Sequence, residues 1–206
     1  MPQNPFMSNV ATNSTGVREP LATGQSGDLL QSALHGSKFN QAYNSHIFRG
    51  ANAAGATLSA ALATTYVGLC LSNPAGSGYN LALRRVGCAL IVAPATFLAL
   101  GLLGGYAAGG ITVHTTPVTP LCTKLGSAAV AIGKLDAAAT LVGTPAWIAW
   151  FANNAATGGQ TNAISIDFEA GIIVPPGAYV AIGANAAGPT AGFLGSMEWE
   201  EIPVPA

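Results

Sequence analysis

The sequence predicts an all-β domain, an antiparallel sandwich or barrel, and two observations predict it. Apolar and polar residues alternate with period two in several short stretches, the pattern of a strand with one buried and one wet face. Gly, Pro and Asn turn signals separate those stretches at regular intervals, as they do in sandwiches and barrels.

Residues 1–27 are rich in Pro, Asn, Ser, Thr and Gly and hold little that forms a core, so they read as an extended N-terminal arm. The β domain is assigned to 28–206. Over 28–48 the apolar residues Leu29, Leu30, Leu34, Phe39, Tyr43, Ile47 and Phe48 fit neither template, and short extended pieces are expected. Residues 65–71 alternate, with Val67, Leu69 and Leu71 on one face. Asn73-Pro74 through Gly78 is a strong turn signal. Leu81 and Leu83 share one phase, and Val86, Cys88, Leu90 and Val92 share the other. The slip falls at Arg84-Arg85 and predicts a β-bulge. Further strands are expected at 96–103, 111–113, 128–132, 146–151 and 163–168, with a weak helical pattern over 135–141.

The stretch 171–204 is the best-patterned part of the chain. Pro175-Pro176-Gly177 fits a tight turn, since proline presets its own φ and glycine accepts a positive one. After a strand at 178–182 and a small-residue loop, Phe193, Gly195, Met197 and Trp199 alternate with Leu194, Ser196, Glu198 and Glu200. One set belongs inside and the other outside.

Only 7% of the 206 residues are charged, against roughly 25% in an ordinary soluble protein, and half are apolar. Such a composition suits a surface covered by neighbouring subunits. A net charge of -1 gives no electrostatic reason to bind nucleic acid or an anionic membrane. Cys70, Cys88 and Cys122 contain no close pair, so buried thiols are expected instead of a zinc site or disulfide framework. The N-terminal residues lack a basic start and an apolar run, which leads us to expect synthesis in a cytoplasm. The uncharged run 86–113 is long enough to span a bilayer, with Gly101, Gly105 and Gly109 in Gly-xxx-Gly spacing. Pro94, the glycines and the alternation before it favour strands.

Chemistry is sparse. The chain has no phosphate loop, His-Glu-x-x-His motif or nucleophile elbow, and Gly24-Gln-Ser-Gly27 misses the elbow spacing. His35, His46 and His114 stand alone, without the partners a metal needs, and no cofactor or metal is expected. Asp167 and Glu169 would share a strand face, and a carboxylate pair can hydrolyse glycans, though acids at a strand end are usually just solvated. Trp147 and Trp150, with Trp199, suggest sugar stacking, but their odd spacing puts Trp147 and Trp150 on opposite strand faces. Arg84 and Arg85 are the one basic pair, and a regular strand also turns them to opposite faces. An intersubunit salt bridge to Glu198, Glu200 or Glu201 is expected for them, because buried charges need partners.

The succession Tyr66-Val-Gly-Leu-Cys-Leu-Ser-Asn-Pro-Ala-Gly-Ser-Gly-Tyr-Asn-Leu-Ala-Leu resembles virion structural proteins of tailed bacteriophages. So do Leu34-His-Gly-Ser-Lys-Phe-Asn-Gln-Ala-Tyr-Asn-Ser-His-Ile-Phe, Ile172-Ile-Val-Pro-Pro-Gly-Ala-Tyr-Val-Ala-Ile-Gly and Trp199-Glu-Glu-Ile-Pro-Val. The resemblance implies a jelly-roll-like β-sandwich of the capsid cement or decoration type. It would bind the outside of the major capsid protein shell, often as a homotrimer, without touching nucleic acid or membrane. The resemblance carries over no catalytic residue. A tail or fibre component contacting a host surface glycan is the alternative.

Overall fold

The computed structural model describes residues 10–12, 18–20, 38–60, 62–111, 113–154 and 163–204. The chain divides into two units, Met1–Phe39 and Asn40–Ala206. In the first, β1 (Val10–Thr12) and β2 (Arg18–Pro20) form an antiparallel pair. The rest of the expected arm, and 28–37, lie outside the described residues. A five-residue helix, α1 (Phe39–Tyr43), stands where extended pieces were expected. Ser45, at φ 63°, turns the chain away from it.

The second unit is built from β3 (Ile47–Ala51), β4 (Thr65–Ser72), β5 (Tyr79–Leu90), β6 (Leu98–Tyr106), β7 (Val113–Val118) and β8 (Leu121–Cys122). It continues with β9 (Lys134–Thr140), β10 (Ala146–Asn154), β11 (Ile164–Val174), β12 (Ala178–Ala184) and β13 (Phe193–Pro203). These strands make two antiparallel sheets packed face to face, in the orders β10-β6-β12-β4-β9-β7 and β11-β5-β13-β3-β8. The fold is therefore an all-β sandwich. Its pairing is nested: β3 lies beside β13, β4 beside β12, β5 beside β11 and β6 beside β10. The segment β7–β9 is an excursion from this scheme that widens both sheets beyond β4 and β3.

Period two sets which side chains meet between the sheets. Leu81, Leu83, Val86, Cys88, Leu90, Phe193, Met197 and Trp199 come from one sheet. Leu69, Leu71, Leu98, Leu100, Leu102, Val180 and Ile182 come from the other. A second apolar cluster lies on the opposite side of the six-stranded sheet. There Tyr66, Cys70, Leu103, Tyr179 and Ala181 are buried with Ile111 and Leu141 from the flanking connections. Cys70, Cys88 and Cys122 are all buried and free, as expected.

The turns follow their residues. Ala178 N–H donates to Pro175 O (2.9 Å) while Gly177 takes φ 89°, so the proline-glycine stretch makes the reversal between β11 and β12. Buried Asn73 holds the β4–β5 turn by donating to Val174 O (2.8 Å) and Tyr79 O (2.7 Å). Buried Asn52 does the same beyond β3, donating to Phe193 O (3.1 Å) and accepting from Gly195 N–H (2.5 Å).

Three expectations are corrected. The weak helical pattern at 135–141 is strand β9, because its backbone is claimed on both sides, by β4 and β7. Residues 128–132 form no strand. Near 111–113 the strand begins only at Val113 and runs to Val118. The run 86–113 belongs chiefly to β5 and β6, and among the described residues no helix is long and apolar enough to cross a membrane.

Leu83 is fully buried between the sheets. Truncating it to alanine should cost about 2–5 kcal/mol, the usual range for a buried leucine, measured as a lowered denaturant midpoint at unchanged slope.

Candidate functional site

Six charged side chains share one face. On the outer side of the five-stranded sheet, Arg49, Glu198, Arg85 and Asp167 stand in direct register across β3, β13, β5 and β11. Their signs alternate along the row. Arg49 pairs with Glu198, and Arg85 Nη2 lies 3.2 Å from Asp167 Oδ2. Arg84 pairs with Glu200 beside the row.

The predicted bulge makes this possible. The β13 register steps from Glu198 opposite Arg85 to Trp199 opposite Leu83, leaving Arg84 as the extra residue. Both arginines therefore reach the outer face, correcting the opposite-face geometry of a regular strand. Beside the row is a shallow depression of about 310 Å³ lined by Arg49, Arg85, Gly87, Ser165, Ser196 and Glu198.

Of the five residues singled out for subunit contact, Arg84, Arg85, Glu198 and Glu200 share this face and are paired within the chain. Glu201 does not join them. It is 5% exposed and points inward, where Oε1 accepts from Ile132 N–H (2.8 Å), Gly133 N–H (2.9 Å) and Trp199 Nε1–H (3.1 Å). Its carboxylate pins the connection before β9 to the end of β13.

The carboxylates considered for glycan hydrolysis are separated in role. Asp167 pairs with Arg85 and also accepts from Glu169 N–H (2.9 Å). Glu169 and Ala170 have positive φ (49° and 64°) within the interruption of the β11 ladder between Asp167 and Ile172.

Trp147 and Trp150 lie on the same face, not opposite faces, with ring centroids 4.1 Å apart. The ladder between β10 and β6 slips between Trp147 and Ala149, so Ile148 is an extra residue and the expected parity fails. The rings cross bare backbone: a Cβ at Gly101 would sit 2.8 Å from Trp150 and 3.2 Å from Trp147. Trp150 keeps half its surface exposed.

Sequence spacing also hid a histidine–carboxylate pair. His114 Nδ1 on β7 lies 2.6 Å from Asp136 Oδ2 on β9, and Asp136 is 1% exposed. Burial raises the Asp136 carboxyl above its ordinary value, while the hydrogen bond and charge of His114, then Lys134, pull the other way. Burial also pushes Cys70 and Tyr66 well up, and Cys88 and Tyr179 to about 12, so none of these is an activated nucleophile at neutral pH. Among the described residues no cluster of three metal-ligating side chains occurs. His46 is exposed at the end of α1, and His35 lies outside the described residues.

Comparison with protein-family models, with curated proteins and with solved structures finds no match to this chain.

Replacing Glu201 by alanine strands three donors, two of them main-chain. Since a hydrogen bond to a charged group contributes about 1.5–3 kcal/mol, the loss should reach at least about 3 kcal/mol in urea unfolding. Asp167→Ala, at the much more open ion pair with Arg85, should cost clearly less in the same assay.

Proposed function

We propose that the protein is a structural component of a virus particle, a capsid cement or decoration protein that acts through contact area and not through catalysis. The nested pairing of β3–β6 with β13–β10 supports a jelly-roll winding, an architecture used by viral capsid and lectin domains. Fold alone does not assign function. The observation that carries the reading is the surface. In a chain with 7% charged residues, Ile91, Val92 and Phe97 are exposed together on the β5–β6 connection, and Leu121, Leu125 and Val130 on the segment between β7 and β9. Exposed apolar groups concentrated in this way mark surfaces that neighbours cover. Arg49, Arg84 and Arg85, by contrast, are already paired with carboxylates within the chain.

In this reading the sandwich sits on the outside of the shell against the major capsid protein. It does so as a homotrimer, whose symmetry matches threefold positions of a shell. Residues 1–27 act as the arm that reaches a neighbour. The half-exposed Trp150 on its glycine floor favours one second reading, a tail or fibre component that stacks a host glycan.

Imaging of intact particles separates the two: many copies on the shell support cement, and few copies at the tail support the fibre. In solution the chain should sediment as a trimer. Ile91→Asp combined with Phe97→Asp should weaken association while leaving the far-ultraviolet circular dichroism unchanged. A stable monomer at high concentration would defeat the proposal, and closed shells formed by this chain alone would make it a shell-builder instead. Removing residues 1–27 should leave the sandwich folded and weaken its attachment to particles. A truncated chain that fails to fold would refute the arm.

A further inference from the structure

We infer that the His114–Asp136 contact is a pH-dependent latch on the edge strand β7, closed in acid and loosened as the pH rises. The inference does not rest on the virion reading. It begins with how weakly β7 is otherwise held. The strand is the outermost of its sheet, five of its six residues are exposed, and its ladder with β9 slips on both sides of Thr116. Pro117 contributes no N–H to that ladder. Among the described residues, the His114–Asp136 bond is the only side-chain hydrogen bond joining the two strands.

The carboxylate at the other end of that bond is poorly provided for. Oδ2 has His114, but Oδ1 is buried and has no hydrogen-bond partner among the described residues. The groups around it come from four strands. Lys134 is two residues away on β9, His114 is on β7, Cys70 is directly across in register on β4, and the Tyr66 and Tyr179 rings belong to the same buried cluster. The tyrosine hydroxyls are committed elsewhere: Tyr66 accepts from Leu69 N–H (2.7 Å), and Tyr179 donates to Val142 O (2.9 Å). Only Lys134 and a protonated His114 can offset a negative charge on Asp136.

The sign follows from that geometry. A buried acid whose folded value is raised stabilises the fold fully in acid, and that contribution is lost as the pH climbs through the raised value. Ionised, Asp136 is a desolvated carboxylate whose Oδ2 has His114 and whose Oδ1 has no partner among the described residues. Water reaches it most readily when His114 leaves, and His114 leaves with β7.

Hydrogen exchange of the full chain, corrected for the intrinsic pH dependence of the chemistry, reads this directly. Between about pH 4 and pH 8.5 the protection of β7 amides should fall severalfold, while β5 and β13 hold theirs. Asp136→Asn keeps an acceptor for His114 without the charge and should abolish the dependence. His114→Ala removes the tie itself and should leave β7 already loosened at about pH 4. Protection of β7 that does not change with pH in the unmodified chain overturns the latch, as does an undiminished dependence in Asp136→Asn. Should Asp136→Asn not fold, equal β7 protection in His114→Ala and the unmodified chain in acid overturns it.

Discussion

The sandwich depends on one extra residue in β5, an interior strand of its five-stranded sheet. A strand exchanges its two faces with every residue, so a chain that must keep Leu81, Leu83, Val86, Cys88 and Leu90 all inside has to slip phase once. It slips at Arg84, and both neighbouring strands lose register at the same level. Without the slip, half of the strand would turn its apolar residues to the outside and bring an arginine into the core. With it, two cations are placed on the outer face opposite Glu198, Glu200 and Asp167. The core and the charged row thus come from the same irregularity.

That slip was legible in the sequence because the apolar residues on each side of it keep their own parity. So were the turn at Pro175–Gly177 and the alternation that sends Trp199 inward, since each is a local pattern. Strand β9 was not. Leu135 within it and Leu141 just after it, set among alanines, imitate a helical repeat, and only pairing with two neighbours decides the matter. The tryptophan pair was misread for a related reason. A bulge at Ile148 has no phase-marked apolar series around it to betray it, because β10 is an edge strand. His114 and Asp136 are 22 positions apart and meet only through the β7–β9 ladder, which nothing local announces.

A chain with so few charges must satisfy its buried main chain by other means. Asn52 and Asn73 at the strand ends, Tyr66 beside the β4 irregularity and the single carboxylate of Glu201 supply most of the side-chain bonds to buried backbone. These groups work inside the fold, which leaves the outside poor in polar features away from the paired row. Buried donors and acceptors are costly when unmatched, so this internal use is where the polar residues contribute most. The exposed apolar connections are what is left over, and association is the physical way to cover them.

The reversed pairing of early strands with late ones has a consequence for how the molecule comes into being. Arg49 meets Glu198, 149 positions further along, so β3 has only the two-residue β8 beside it until β13 has been made. Contacts this remote close large loops before they return any energy, which slows folding and leaves unpaired edges open to aggregation meanwhile. A nascent chain would carry β3 with one long edge open until β13 emerges. Completion of the five-stranded sheet waits for that last strand, and shielding the open edge in the interval protects the yield.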